Sequence, residues 1–137
     1  MIPKVLVDAG PLVAIFSNRD QHHQICADAL RTIRPPLLTS WSVITEAAWL
    51  LRRYPAGVQK LMLAIEQNLI SLLAMDRSAV PGMGAFLARY QKIGAQLADA
   101  SLVYLAEREN IRQVFTLDRR DFAVYRTPSN RKLELVP

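Results

Sequence analysis

The sequence predicts one α/β domain spanning residues 1–137, with a central, mostly parallel sheet of about five short strands flanked by helices. Three observations carry that prediction. Short apolar, β-branched runs alternate with longer segments of helical periodicity, the pattern of successive βαβ units. A length of 137 residues suits one domain, since typical domains run to ~100–150 residues. The 51% hydrophobic content supplies one core, and no repeat, low-complexity stretch or Gly/Ser linker divides the chain.

The elements follow in order. Residues 4–7 form a short strand, and Asp8-Ala9-Gly10-Pro11 turns it into a helix through Phe16, with Pro11 in the first turn. Asp20 suits the cap of a second helix reaching about Ile33, which Pro35-Pro36 stops. Residues 37–39 are a strand, and Ser40 caps a helix over 41–53. Pro55-Ala56-Gly57 breaks that helix before another runs to about Gln67. The continuous apolar run 69–75 suits a buried strand, and Asp76 caps a helix to about Gln91 that Pro81 and Gly82 disturb. Residues 96–110 are helical, 113–116 a strand, 118–123 a short helical turn and 132–136 a final strand.

A formal charge of +5 favours anionic partners such as nucleic acid. The lone Cys26 has no internal disulfide partner, which points to a reducing compartment. The first apolar run is too short for a signal peptide, and nothing approaches the ~20 apolar residues of a membrane helix. The expected location is therefore cytoplasmic, away from membranes.

Four carboxylates occupy positions where apolar or neutral residues would be ordinary: Asp8, Glu46, Asp99 and Asp118. Asp8 and Asp118 close short strands, and in a parallel sheet ligands bind beyond the carboxyl ends of the strands. Glu46 has Val43, Trp49, Leu50 and Ser42 at helical offsets, so it lies largely along an apolar stripe. Asp99 shares a helix side with Leu102, Val103 and Ala106. Each acid has a plainer reading. Asp8, Asp99 and Asp118 could cap helices, Glu46 could sit on a solvated face, and Asp121, one turn beyond Asp118, is a rival for its role. Together they are costly to desolvate without a cation, because like charges oppose one another's ionisation.

The blocks Val5-Leu6-Val7-Asp8-Ala9-Gly10-Pro11-Leu12, Thr45-Glu46, Leu97-Ala98-Asp99-Ala100-Ser101-Leu102-Val103 and Thr116-Leu117-Asp118-Arg119-Arg120-Asp121-Phe122 resemble those of PIN-domain ribonucleases. The closest likeness is to the VapC-type toxins of bacterial type II toxin–antitoxin pairs. The resemblance spans nearly the whole chain, with the blocks in family order. It implies an Mg²⁺- or Mn²⁺-dependent endoribonuclease in which Asp8, Glu46, Asp99 and Asp118 are both catalytic and metal-binding. Asp8, Asp99 and Asp118 would be direct ligands, while Glu46 would bind a second ion or handle the attacking water. Products with 5′-phosphate and 3′-hydroxyl ends are implied, as are an RNA substrate, a cognate antitoxin and a homodimer. The Trp41 helix and the helix near Val58 offer apolar surface for that dimer. Relatives often carry another acid where this chain has Gln96.

Thr45, Ser101 and Thr116 stand beside the acids as candidate hydrogen-bond partners. Arg119 and Arg120 are the cations expected nearest the site, and Arg52, Arg53, Arg126, Arg131 and Lys132 are further phosphate contacts. His22, His23 and Cys26 lack a second ligand pair for zinc. The five glycines form no phosphate loop. Trp41 and Trp49 suit core or interface. The rival reading is a PIN-like module that binds RNA or protein without cutting. A receiver-type domain using Asp76 would need a paired acid where Val7 stands, and leaves Glu46 and Asp99 unexplained.

Overall fold

The computed structural model describes residues 3–137. Five parallel strands, β1 (Val5–Val7), β2 (Leu37–Thr39), β3 (Ile70–Leu72), β4 (Gln113–Phe115) and β5 (Glu134–Val136), lie in the order β3-β2-β1-β4-β5. Central β1 pairs Leu6 with Leu38 on one side and with Val114 on the other. Alternate residues of a strand face opposite sides of the sheet. All three residues of β1 are buried, so both faces are covered, as its unbroken apolar composition requires.

The helices among the described residues are α1 (Ala9–Phe16), α2 (His23–Leu30), α3 (Trp41–Leu50), α4 (Pro55–Glu66), α5 (Val80–Arg89), α6 (Leu97–Arg108) and α7 (Arg119–Val124). α1 packs on α2, α3 and α4, while α6 packs on α3 and α5. Ser40 caps α3 as expected, its hydroxyl accepting the Val43 N–H at 3.3 Å. None of the described helices is long and apolar enough to cross a membrane.

Several element boundaries differ from expectation. Asp20 accepts the His22 N–H at 2.8 Å, so it closes a turn and α2 starts only at His23. α3 ends at Leu50, and α4 begins on Pro55 itself, because a first-turn position needs no N–H. The apolar run 69–75 yields only Ile70–Leu72 as strand, because its one partner, β2, offers only Leu37–Thr39 to pair with. Asp76 caps a 3₁₀ turn (Arg77–Ala79) that leads into α5. α6 starts one residue after Gln96 and ends before Asn110, and β5 begins two residues after Lys132.

Chain order places β2 and β3 on one side of β1, then β4 and β5 on the other. The crossing between β1 and β4 is a topological switch point, where the flanking connections diverge and leave a crevice at the strands' carboxyl ends. The backbone N–H of Asp8 bonds the Phe115 carbonyl at 2.9 Å, which locks the first acid against the end of β4. A cluster of Phe86, Tyr90, Phe122 and Tyr125 rings, with centroids 4.8–5.1 Å apart, fastens α5 and α7 together below that crevice.

Candidate active site

The crevice is a cleft of about 420 Å³ lined by Asp8, Glu46, Gln96, Asp99, Asp118 and Asp121, with Gly10, Leu50 and Leu117 among its walls. Acids far apart in sequence arrive there on four separate elements. Asp8 is the N-cap of α1 and Asp118 the N-cap of α7, while Asp99 lies in the first turn of α6. The plain capping readings are therefore correct for Asp8 and Asp118, and compatible with a shared site. A helix N-terminus stabilises a carboxylate that the neighbouring carboxylates destabilise. Glu46 enters from the middle of α3, half-buried.

Asp8 is 9% exposed. Its Oδ1 accepts the Ala9 N–H at 2.8 Å and its Oδ2 accepts the Thr116 hydroxyl at 3.0 Å. Thr116 Oγ1 in turn accepts the Asp118 N–H at 3.0 Å, so one hydroxyl ties two acids. Burial pushes the Asp8 carboxyl up to about 6; Asp99 and Glu46 add to this, and the two hydrogen bonds oppose it. Asp99 Oδ2 accepts the Gln96 N–H at 3.0 Å and the Tyr125 hydroxyl at 3.2 Å. Its carboxyl is also raised, by burial first, with the Asp118 and Asp121 charges adding. Glu46 is raised by burial and by Asp99, and Asp121 by burial and by Asp118. Asp118 Oδ1 accepts the Asp121 N–H at 3.1 Å.

Among the described residues none of these five acids forms an ion pair. Arg120 opposes the raising of Asp121 without pairing with it, no lysine or arginine pairs with the other four among the described residues, and the donors are all hard oxygens. That chemistry suits a divalent cation. Among the described residues no three acids are spaced to close on one ion as they stand. Mg²⁺ usually keeps several waters and takes only one or two carboxylates, so the donor set still fits it.

All four expected acids meet in one cleft, together with the rival Asp121. Other expectations need correction. Of three candidate hydroxyls only Thr116 reaches an acid: Thr45 donates to the Trp41 carbonyl at 2.8 Å, and Ser101 to that of Ala98 at 2.7 Å. Arg119 and Arg120 do not line the cleft: the Arg119 guanidinium donates to the Pro137 carbonyl, while Arg120 stays near enough to Asp121 to oppose the raising of its carboxyl. Trp41 and Trp49 are each 62% exposed, so neither belongs to the core. Sequence reasoning missed Tyr125. It lies 26 residues from the acid it holds, and no local pattern could announce that bond.

A family model for the PIN domain matches residues 5–127. The chain is 25% identical over 137 residues to "Ribonuclease VapC26" of Mycobacterium tuberculosis, covering 97% of this chain and 100% of that protein. Among solved structures, Mycobacterium tuberculosis VapC20 superposes with a TM-score of 0.77 at 17% identity, covering 98% of this chain and 100% of the other. A toxin–antitoxin complex from Klebsiella pneumoniae gives 0.69 at 20% identity, covering 88% of this chain and 92% of the other. At those identities the structures speak for the fold, whereas the family match spans both ends of the acidic cleft, from Asp8 to Asp121. The chain belongs to the PIN-domain family.

Proposed function

We propose that this chain is a divalent-metal-dependent endoribonuclease and the toxin of a toxin–antitoxin pair. The observation that carries the reading is the single cleft shared by Asp8, Glu46, Asp99, Asp118 and Asp121 at the carboxyl end of a parallel sheet. The similarity to a protein named a ribonuclease, and to a chain solved in a toxin–antitoxin complex, supports it.

Asp8, Asp99 and Asp118 would hold Mg²⁺ or Mn²⁺, with Glu46 beside them. Such an ion, when bound, neutralises charge on the phosphodiester and acidifies a water for in-line attack. The chain's own contribution is placement. Ala9 and Thr116 fix both oxygens of Asp8, while Gln96 and Tyr125 fix Oδ2 of Asp99. Glu46, its carboxyl raised by burial and by Asp99, is placed to accept a proton from the attacking water. Water attack that breaks the bond from phosphorus to the 3′ oxygen, which leaves with a proton, gives a 5′-phosphate and a 3′-hydroxyl. A cognate antitoxin would cover the cleft. The exposed Trp41 and Trp49 on α3 and Leu63 on α4 supply apolar surface for a second copy.

The test is incubation of purified, antitoxin-free protein with total RNA in Mg²⁺ or Mn²⁺, then in EDTA. Asp8→Asn and Asp99→Asn are expected to fold and to leave RNA intact. Cleavage that survives chelation, or either substitution, refutes the mechanism. The rival reading, a module that binds without cutting, draws on the absence of a preset three-acid ligand shell among the described residues. RNA retained but uncut in Mg²⁺ would establish that rival.

A further inference from the structure

Five acids in one cleft repel the polyanion that a ribonuclease must hold, so attraction has to come from elsewhere on the surface. With Arg119 turned to Pro137, the arginines flanking Asp118 do not line the cleft. A second concavity, a groove of about 650 Å³, has the opposite character. It is lined by Arg19, Arg53 and Lys60, with His23 and Tyr54, and no acid among its walls. All three cations are exposed, and none forms an ion pair among the described residues. The acid next in sequence, Asp20, is engaged instead with His22, accepting its N–H at 2.8 Å with the ring nitrogen at 3.6 Å. The Arg19 guanidinium lies over the Tyr54 ring, 5.5 Å from its centroid, and the His23 ring is fixed on the Ala14 carbonyl at 2.6 Å. The groove is thus cationic with partly ordered walls.

Two helices connect it to the acids. α1 contributes Ala9 and Gly10 to the cleft and Ile15 and Phe16 to the groove. On α3, Glu46 and Leu50 line the cleft one turn apart, and the turn that follows the helix carries Arg53 to the groove. Along α1, the seven steps from Ala9 in the cleft to Phe16 in the groove rise by about 10 Å. That distance matches about three phosphates of a stacked strand, at ~3.4 Å each. We infer that Arg19, Arg53 and Lys60 form the phosphate-binding track that holds single-stranded RNA some three nucleotides from the cleft. The inference rests on the ribonuclease reading and names where that activity gains its affinity. A strand reacting in the cleft has reason to extend down both helices. An acidic protein segment confined to the groove has no such need.

The experiment uses a fluorescein-labelled 20-nucleotide poly(U) strand and the full chain in EDTA, so that binding is measured without cutting. Anisotropy titrations across salt concentrations give the slope of log affinity against log salt. Each phosphate contact on a single strand contributes about 0.7 to that slope, so Arg19→Ala/Arg53→Ala/Lys60→Ala is expected to lower it by about 2. Affinity at about 0.1 M salt should fall roughly tenfold or more. Arg19→Lys/Arg53→Lys, which keeps the charges, should retain the wild-type slope. Arg31→Ala/Arg34→Ala/Arg112→Ala removes the same charge outside the groove and should also retain it. An unchanged slope in the groove variant, or an equal loss in the control, overturns the inference. So does a groove variant that loses poly-glutamate binding while keeping RNA, which would assign the groove to an acidic protein. Loss of the ribonuclease reading would appear separately, as failure to cut total RNA in Mg²⁺.

Discussion

Asp8 is the most buried of the cleft's acids, and replacing it should stabilise the protein. Its carboxyl is pushed from an ordinary 3.8 up to about 6 by burial, with Asp99 and Glu46 adding to the effect. The native carboxyl therefore holds its proton more tightly than the unfolded one. Between about pH 4 and 6 the native state binds more protons, so stability falls as pH rises across that window and levels off above it. Each tenfold step in acidity is worth ~1.4 kcal/mol, so the gap of about two costs the metal-free protein about 3 kcal/mol at neutral pH. Asp8→Asn removes the charge and keeps an oxygen for the Ala9 N–H at 2.8 Å. Exchange of charge-assisted hydrogen bonds for weaker neutral ones offsets part of the gain, leaving about 1–3 kcal/mol. At about 3 °C per kcal/mol for a chain of this size, Tm in EDTA at pH 8 should rise by ~3–9 °C. At pH 4 the two proteins should melt together. Thermal melts of both proteins from pH 4 to 8 read this directly, and Mn²⁺ at pH 8 should raise Tm in the wild type alone. A variant less stable than wild type at pH 8, or a difference independent of pH, would refute the reasoning.

Two further substitutions separate function from packing. Tyr125→Phe keeps a ring fully buried against Phe86, Tyr90 and Phe122 but removes the hydroxyl that holds Asp99 Oδ2. Outer partners of metal ligands are worth roughly 10–100-fold in affinity, so Mn²⁺ binding by calorimetry should weaken by that factor, and an unchanged affinity would make Tyr125 merely structural. Gly57→Ala would place a methyl 2.9 Å from the Phe16 carbonyl and 3.3 Å from Leu51, where α4 crosses the end of α1. Overpacking of this kind costs about 1–3 kcal/mol, seen as a lower denaturation midpoint in urea, while the acids and their Mn²⁺ binding stay as they are.

Local chemistry made much of the molecule readable in advance. Short apolar runs ending in Asp8 and Asp118, the Ser40 cap and Glu46 on an apolar stripe are all visible within a few residues. They led to a parallel sheet with acids at its carboxyl end. The same locality explains the errors. Run 69–75 has the composition of a buried strand, but the three residues of its partner β2 limit the ladder to Ile70–Leu72. Asp20 has the look of a helix cap, yet it serves a turn one step earlier.

Patterns of hydrophobicity and capping act over one or two turns, and those interactions were already encoded in neighbouring residues. Contacts between distant segments obey no such pattern. The hydroxyl shared by Asp8 and Asp118 comes from a threonine 108 residues from the first of them, and Asp99 is held by a tyrosine 26 residues away. Arg119 could be read as flanking an acid, but only the folded chain turns it to Pro137 and brings Arg19, Arg53 and Lys60 together instead. Which residues are acidic or apolar follows from the chain. Which of them meet depends on the crossing from β3 back to β4, because only strand order brings remote segments into one crevice.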